Sequence, residues 1–211
     1  MEDFKQFGIV PVGNDEINSL FSGYRSPYHK IAAMERAGNF IRLKNGLYVV
    51  SPEISGMALS LPLIANHLYG PSYVSMRWAL RYYGLIPERV FIVESITIRR
   101  SKTYENSLAT FQYTSCQDAY FHIGIRIVRE DNCSFLMASP EKALCDLIVN
   151  TSRLRLRSLK SMRQYLEEDI RFDMEALAAF DCSILREISE VSPKKNEINN
   201  LIKVIENEQH I

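Results

Sequence analysis

The sequence lacks the motifs on which most familiar enzyme chemistry depends. Its 211 residues contain no Gly-rich phosphate loop, no Gly-x-Ser-x-Gly turn and no His-Glu-x-x-His pair. No motif therefore predicts nucleotide binding, serine-hydrolase activity or metalloprotease activity. The cysteines and histidines are few and dispersed, without the spacing of a zinc site: Cys116, Cys133, Cys145, Cys182, His29, His67, His122 and His210. We therefore predict no enzymatic activity, no cofactor and no metal site.

The sequence also lacks a net charge and a long apolar run. Lys and Arg total 25, and so do Asp and Glu, so any attraction to a polyanion has to be local. The most apolar window, residues 54–68, contains Pro62 and is shorter than the ~20 residues that span a bilayer. The chain starts with Glu2 and Asp3 instead of basic residues, which argues against a secretory signal. These features predict a soluble, cytoplasmic protein.

Local charge is segregated in the last third of the chain. Residues 151–163 carry five basic side chains and no acidic one, whereas residues 164–211 carry eleven acidic and five basic side chains. This distribution predicts a basic surface followed by an acidic helical tail, although a plain solvated helix face would also account for it. The basic residues are Arg153, Arg155, Arg157, Lys160 and Arg163.

The first 40 residues predict three short helices, each ended by a glycine. The helices cover residues 3–7, 14–22 and 27–37, and the glycines are Gly8, Gly23 and Gly38. Asn14 is the predicted cap of the second helix, and Ser26 with Pro27 starts the third. Two helices joined by a short Gly-containing turn are the helix-turn-helix pattern.

A β-hairpin follows over residues 40–50. The pair Asn45-Gly46 predicts a two-residue type I′ turn between apolar strands. The resulting register would put Arg42 and Lys44 on one face together with Leu47 and Val49, so we expect the next domain to cover the two apolar residues. The opposite face would then carry Ile41, Leu43, Tyr48 and Val50.

The rest of the chain predicts an α+β arrangement. Helices are expected over residues 57–68 and 72–83, strands over 90–98, 108–113, 120–128 and 134–137, and then helices to the end, the last of which starts near Ser192 and Pro193. The Ser-Pro-Glu run at residues 139–141 is a helix start. A break at residues 51–56 divides the chain into a predicted winged helix-turn-helix domain, residues 1–52, and a mixed α/β domain with a helical tail, residues 53–211.

The N-terminal pattern indicates a DNA-binding surface. In a helix-turn-helix protein the second helix of the motif enters the major groove with its N-terminal residues nearest the bases, and a hairpin wing lies beside it on the backbone. Residues 1–50 have only six basic side chains against five acidic ones, and such modules also bind proteins. The predicted DNA-binding residues are Arg25, Ser26, Tyr28, His29, Lys30, Arg42, Lys44 and Asn45.

Five blocks of residues, in this order, resemble the AbiEi family of abortive-infection antitoxins. They are Arg42-Leu-Lys-Asn-Gly-Leu-Tyr-Val49, Pro71-Ser-Tyr-Val-Ser75, Tyr83-Gly-Leu-Ile-Pro87, Ser95-Ile-Thr97 and Ala138-Ser-Pro-Glu-Lys-Ala-Leu144. The resemblance covers about residues 1–150. The wing departs from it, since Lys44-Asn45 stands where the family usually has a more basic tip.

The resemblance implies a type IV toxin–antitoxin function. The N-terminal winged helix would repress its own operon at promoter repeats, and the C-terminal region would counter a nucleotidyltransferase-like toxin without a stable complex. Residues 153–163 are the candidate antitoxin surface. Two alternatives stay open: an enzyme or enzyme regulator acting on the toxin through the strands of residues 90–137, and a winged-helix module that only binds protein.

Overall fold

The N-terminal part of the chain is a small antiparallel sheet packed on two helices. The structure, a computed structural model, describes residues 2–21 and 27–209, and the side chains of residues 5–21 and 29–209. A 3₁₀ helix is followed by three strands in the order β1-β3-β2 and by two α-helices. Their bounds are Glu2–Phe7 for the 3₁₀ helix, Val12–Gly13 for β1, Asn14–Leu20 for α1, Pro27–Arg36 for α2, Phe40–Lys44 for β2 and Leu47–Val50 for β3.

The ends of these helices agree with the sequence in part. Gly8 and Gly38 follow the first and last of them with positive φ angles of 54° and 75°, a conformation that glycine adopts without strain. Asn14 was predicted to cap α1, but it is the first helical residue and Gly13 occupies the cap position. The predicted helix boundaries at Gly23 and Ser26 lie outside the described residues.

The hairpin forms where predicted, but its register differs. Lys44 pairs with Leu47 as expected, and then an irregularity in β2 makes Arg42 face Tyr48 instead of Val49. A type I′ turn requires positive φ at both central residues, whereas only Gly46 has one, at 75°. The extra residue in β2 therefore reverses the faces beyond it, and the prediction that Arg42 and Lys44 share a face was wrong.

The second part of the chain adds a six-stranded sheet with helices around it. Its α-helices are α3 Pro52–Ser55, α4 Leu61–Leu68, α5 Met76–Tyr82, α6 Asp118–Phe121, α7 Pro140–Asn150, α8 Leu159–Gln164, α9 Cys182–Val191 and α10 Lys195–Gln209. The strands are β4 Ser72–Val74, β5 Ile92–Thr97, β6 Lys102–Glu105, β7 Thr110–Ser115, β8 Ile125–Glu130 and β9 Cys133–Ala138. A π-helical turn at Tyr165–Asp169 and a 3₁₀ helix at Met174–Ala179 complete it. The mixed α+β class is thus as predicted.

The sheet has the strand order β6-β7-β5-β4-β9-β8 and mixes parallel and antiparallel pairs. Its central strand β4 was predicted as the start of a helix. Tyr73 and Val74 are fully buried, so the strand shows no alternation between apolar and polar residues that would identify it. The predicted strand over residues 120–128 begins instead with the short helix α6, and Gly124, with φ of 67°, separates that helix from β8.

Two helices confirm the sequence prediction closely. Ser139 caps α7 by accepting from the Lys142 amide, with Pro140 in the first turn. The last helix, α10, starts at Lys195, slightly later than expected, and buries its apolar stripe as predicted. That stripe consists of Ile198, Leu201, Ile202 and Ile205.

The hairpin contributes to two hydrophobic cores. Phe40, Tyr48 and Val50 pack in the small N-terminal core, whereas Leu43 and Val49 belong to the large core of the second part. Leu47 also packs against the large core, so the expectation that the next domain covers Leu47 and Val49 is confirmed. Leu43 was expected on the opposite face, and the register change explains its position. Across the described ranges, no helix is both long and apolar enough to cross a membrane.

Candidate nucleic-acid interface

The predicted recognition helix is described only from its first turn onward. Arg25 and Ser26 lie outside the described residues, and so does the side chain of Tyr28. His29 is exposed and Lys30 is half-buried, and both lie in the first turn of α2. The two described side chains therefore lie at the end of α2 that a helix-turn-helix protein directs toward the bases.

Arg42 links the hairpin to this helix. Its guanidinium donates to the Glu35 carboxylate near the end of α2 at 2.7 Å and lies 5.7 Å from the centre of the Tyr48 ring. The hydrogen bond to Glu35 raises the pKa of Arg42 above its usual value. Because the side chain is still 49% exposed, it is available to a ligand on the α2 side of the hairpin.

Lys44 points to the other side of the hairpin and has an internal partner. Its ammonium donates to the Leu68 carbonyl at 2.6 Å, which closes the carboxyl end of α4, where a positive charge is favourable. It also lies 5.8 Å from the centre of the Tyr104 ring on the edge strand β6. Asn106, just beyond β6, donates to the Leu43 carbonyl at 3.2 Å. Lys44 therefore holds the hairpin to the second part of the chain.

Asn45 remains exposed at the tip of the hairpin. The neighbouring Gly46 carbonyl accepts from the Asn14 amide at 3.2 Å, which connects the tip to the start of α1. The tip is thus fixed in position, and Asn45 is the residue that a ligand could reach there.

The basic segment of residues 151–163 is only partly free. Arg163 pairs with Glu208 on α10 and, at 3.5 Å, with Glu167, so it belongs to the contact between α8 and the acidic tail. The other four basic side chains are exposed, and within the described ranges they have no ion-pair partner. They are Arg153, Arg155, Arg157 and Lys160.

A buried polar group that the sequence analysis did not identify lies between β4 and α7. The Ser75 hydroxyl donates to Asp146 at 2.6 Å, and the Lys142 ammonium lies 3.4 Å from the other oxygen of that carboxylate. Lys142 also donates to the Tyr120 carbonyl at 2.8 Å. Burial lowers the pKa of Lys142, against the opposing effect of Asp146. From the sequence, Lys142 and Asp146 look like an ordinary surface pair one helical turn apart.

This group does not have the geometry of a catalytic site. The side chains of Ser75, Lys142 and Asp146 are completely buried, so a substrate has no contact with the hydroxyl or the amine. A cleft of about 380 Å³ lies nearby and is lined by Cys116, Tyr120 and other residues. Burial raises the pKa of Cys116 to about 11, which leaves the thiol protonated and unreactive near neutral pH. The group is best explained as an internal support for α7.

Among the residues that the structure describes, no three His, Cys, Asp or Glu side chains are arranged so that they could hold a metal ion. Comparisons of the chain with protein-family models and with curated proteins gave no match.

Proposed function

We propose that the protein is a DNA-binding transcriptional autorepressor and the antitoxin of a type IV toxin–antitoxin system, countering a nucleotidyltransferase-like toxin. The DNA-binding part rests on the order of the N-terminal elements. Two helices precede a hairpin, and a short strand before them completes a three-stranded sheet. This is the order expected of a winged helix-turn-helix, with α2 as the recognition helix and β2–β3 as the wing.

The observation that carries the proposal is the contact between Arg42 and Glu35. It joins the hairpin to α2, so that Arg42 and the exposed His29 belong to neighbouring elements. Asn45 extends this surface to the hairpin tip, and Arg25, Ser26, Tyr28 and Lys30 keep the roles proposed from the sequence. Lys44 is left out, because its ammonium is bound to Leu68.

The antitoxin part rests on the resemblance to the AbiEi family and on the free basic side chains. Arg153, Arg155, Arg157 and Lys160 form an exposed cationic segment outside the proposed DNA surface. In this proposal the protein is not an enzyme, and it acts without a cofactor. An adjacent gene for a nucleotidyltransferase-like protein is the expected genomic context.

Titration of a labelled duplex from the region upstream of the gene tests the DNA-binding part. About four neutralised phosphates give an expected slope of log K against log salt near −3 to −4. Arg42→Gln and His29→Ala should weaken binding, whereas Arg100→Gln, at an exposed site on the second part of the chain, should not. Equal affinity for a scrambled duplex would remove specific promoter recognition from the proposal.

Co-expression with the neighbouring toxin tests the antitoxin part. The full-length protein should restore growth, and Arg155→Gln with Arg157→Gln should reduce the rescue while a promoter reporter stays repressed. Unchanged rescue by this double variant would exclude the basic segment as the antitoxin surface. Failure of the full-length protein to rescue would leave only the repressor.

A further inference from the structure

An exposed aromatic surface lies on α5 and the segment just before β5. Phe91 is 78% exposed, the largest exposure among the large apolar side chains in the described part of the chain. Tyr82 on α5 is 41% exposed, and Trp78 lies beside it with the two ring planes 19° apart and their centres 5.9 Å apart. Aromatic side chains usually bury most of their area, so the exposed Phe91 and the half-exposed Tyr82, stacked on the partly buried Trp78, indicate a binding surface.

The Trp78 and Tyr82 rings border a small cavity. Trp78, Tyr82, Arg81 and Val90 line a space of about 170 Å³ at the surface. Phe91, whose ring is 78% exposed, follows Val90 directly in the chain. The cavity suits one flat aromatic group, and Phe91 offers a second stacking surface.

The surrounding charge is positive and available. Arg77, Arg81 and Arg89 are exposed, and no ion pair is formed by them within the described residues. The nearest carboxylates have other partners, and the charge of Arg77 also acts to lower the pKa values of Glu88 and Glu94. Glu88 pairs with Arg171 at 2.6 Å, Glu94 accepts from the Arg77 backbone amide at 2.9 Å, and Glu130 accepts from the Tyr82 hydroxyl at 3.1 Å.

We propose that this surface binds single-stranded nucleic acid, with bases stacked on Phe91 and on the Trp78–Tyr82 pair and with phosphates held by Arg77, Arg81 and Arg89. Accessible rings between free arginines are the combination that unpaired nucleotides require. A duplex hides the faces of its bases, so it could use the arginines but not the rings. A protein segment would need carboxylates for the arginines, whereas a nucleic-acid backbone supplies a negative charge at each nucleotide.

Fluorescence anisotropy with labelled dT12 and U12 strands and the full-length protein tests the proposal. Three arginine–phosphate contacts give an expected slope of log K against log salt near −2 for a single strand. Phe91→Ala should weaken binding about 5- to 150-fold, the effect of one lost base–aromatic stack. A preference for U12 or for dT12 identifies RNA or DNA as the source of the strand.

Matched variants separate stacking from general effects on the fold. Phe91→Tyr should keep the affinity, whereas Phe91→Leu, which preserves an apolar side chain but no ring, should lose it. Arg81→Gln should weaken binding and flatten the salt dependence, and Arg100→Gln, at the other end of β5, should leave both unchanged. The proposal is overturned if the strands do not bind at 100 mM salt, if Phe91→Leu binds like the wild type, or if Arg100→Gln weakens binding as much as Arg81→Gln. Each of these results leaves binding of the promoter duplex unaffected.

Discussion

The hairpin of the N-terminal part and the exposed segments of the second part differ in whether their basic side chains have internal partners. In the N-terminal part, the hairpin cations have internal partners: Arg42 binds Glu35, and Lys44 binds the Leu68 carbonyl. In the second part, exposed arginines such as Arg81 and Arg155 have no ion-pair partner in the described ranges. The number of cations in a segment therefore says little about binding until the fold shows which of them are free.

The two parts also differ in how they bury charge. The second part encloses Lys142 and Asp146 completely in its large core. The small N-terminal core consists of apolar side chains, with a tyrosine at its edge. Desolvating two charges costs several kcal/mol per ion, so a fold can contain a fully buried ion pair only where many apolar contacts offset that cost.

The largest expected effect concerns two lysines of the second part, one buried and one exposed. Lys142→Met leaves Asp146 without its cation and should lower the free energy of unfolding by about 3–5 kcal/mol. Lys160→Met, at an exposed position, should change it by less than about 0.5 kcal/mol. Urea denaturation of both variants measures the difference. Similar values for the two would contradict the structural role of the buried pair.

The next prediction compares two apolar residues of the hairpin. Leu43 is 2% exposed and lies in the large core, so Leu43→Ala should cost about 2–5 kcal/mol of stability. Ile41 is half-buried, and Ile41→Ala should cost clearly less. Thermal unfolding monitored by circular dichroism ranks the two variants. A reversed order would contradict the position of Leu43 in the large core.

A smaller effect distinguishes a packed thiol from a reactive one. With a pKa of about 11, Cys116 should react with iodoacetamide at pH 8 roughly 20- to 100-fold more slowly than in the urea-unfolded chain. Because the pKa is raised in the folded state, the unfolded thiol ionises first, and this group lowers stability as the pH rises from 9 to about 11. Peptide-resolved mass spectrometry measures the rate, and an equal rate in both states would indicate an accessible, activated thiol.

The smallest effect separates the two hairpin cations in DNA binding. Lys44→Met should change the affinity for the promoter duplex by less than about twofold, because its ammonium is hydrogen-bonded to the Leu68 carbonyl. Arg42→Gln removes a half-exposed cation and should weaken binding several-fold. Anisotropy titrations at the same salt concentration compare them. A larger loss for Lys44→Met would return Lys44 to the DNA surface.

The sequence predicts those elements whose local signals agree with their surroundings. Ser139 and Pro140 start α7 because capping and fixed φ are local effects, and the stripe of α10 follows helical periodicity. The hairpin was predictable from Asn45-Gly46, but its register was not, because local turn chemistry does not reveal the irregularity in β2 that accompanies the burial of Leu43 in the large core.

The parts that could not be predicted depend on contacts between distant residues. Strand β4 is buried on both faces, so Tyr73 gives no periodic signal. The hydrogen bond between Ser75 and Asp146 joins positions 71 residues apart, and the hydrogen bond between Lys44 and the Leu68 carbonyl joins positions 24 residues apart. In the same way, the sequence gives Phe91 the pattern of an ordinary strand residue, and only the fold shows that its ring is 78% exposed.

Hydrogen–deuterium exchange of the full-length protein with each type of nucleic acid tests the separation of the two parts most directly. With the promoter duplex, we predict protection confined to α2 and the β2–β3 hairpin. With dT12 or U12, we predict protection in α5 and residues 88–92. If both ligands protect the same segment, the two parts do not hold separate nucleic-acid surfaces. That result would contradict the account of which basic side chains are available to bind nucleic acid.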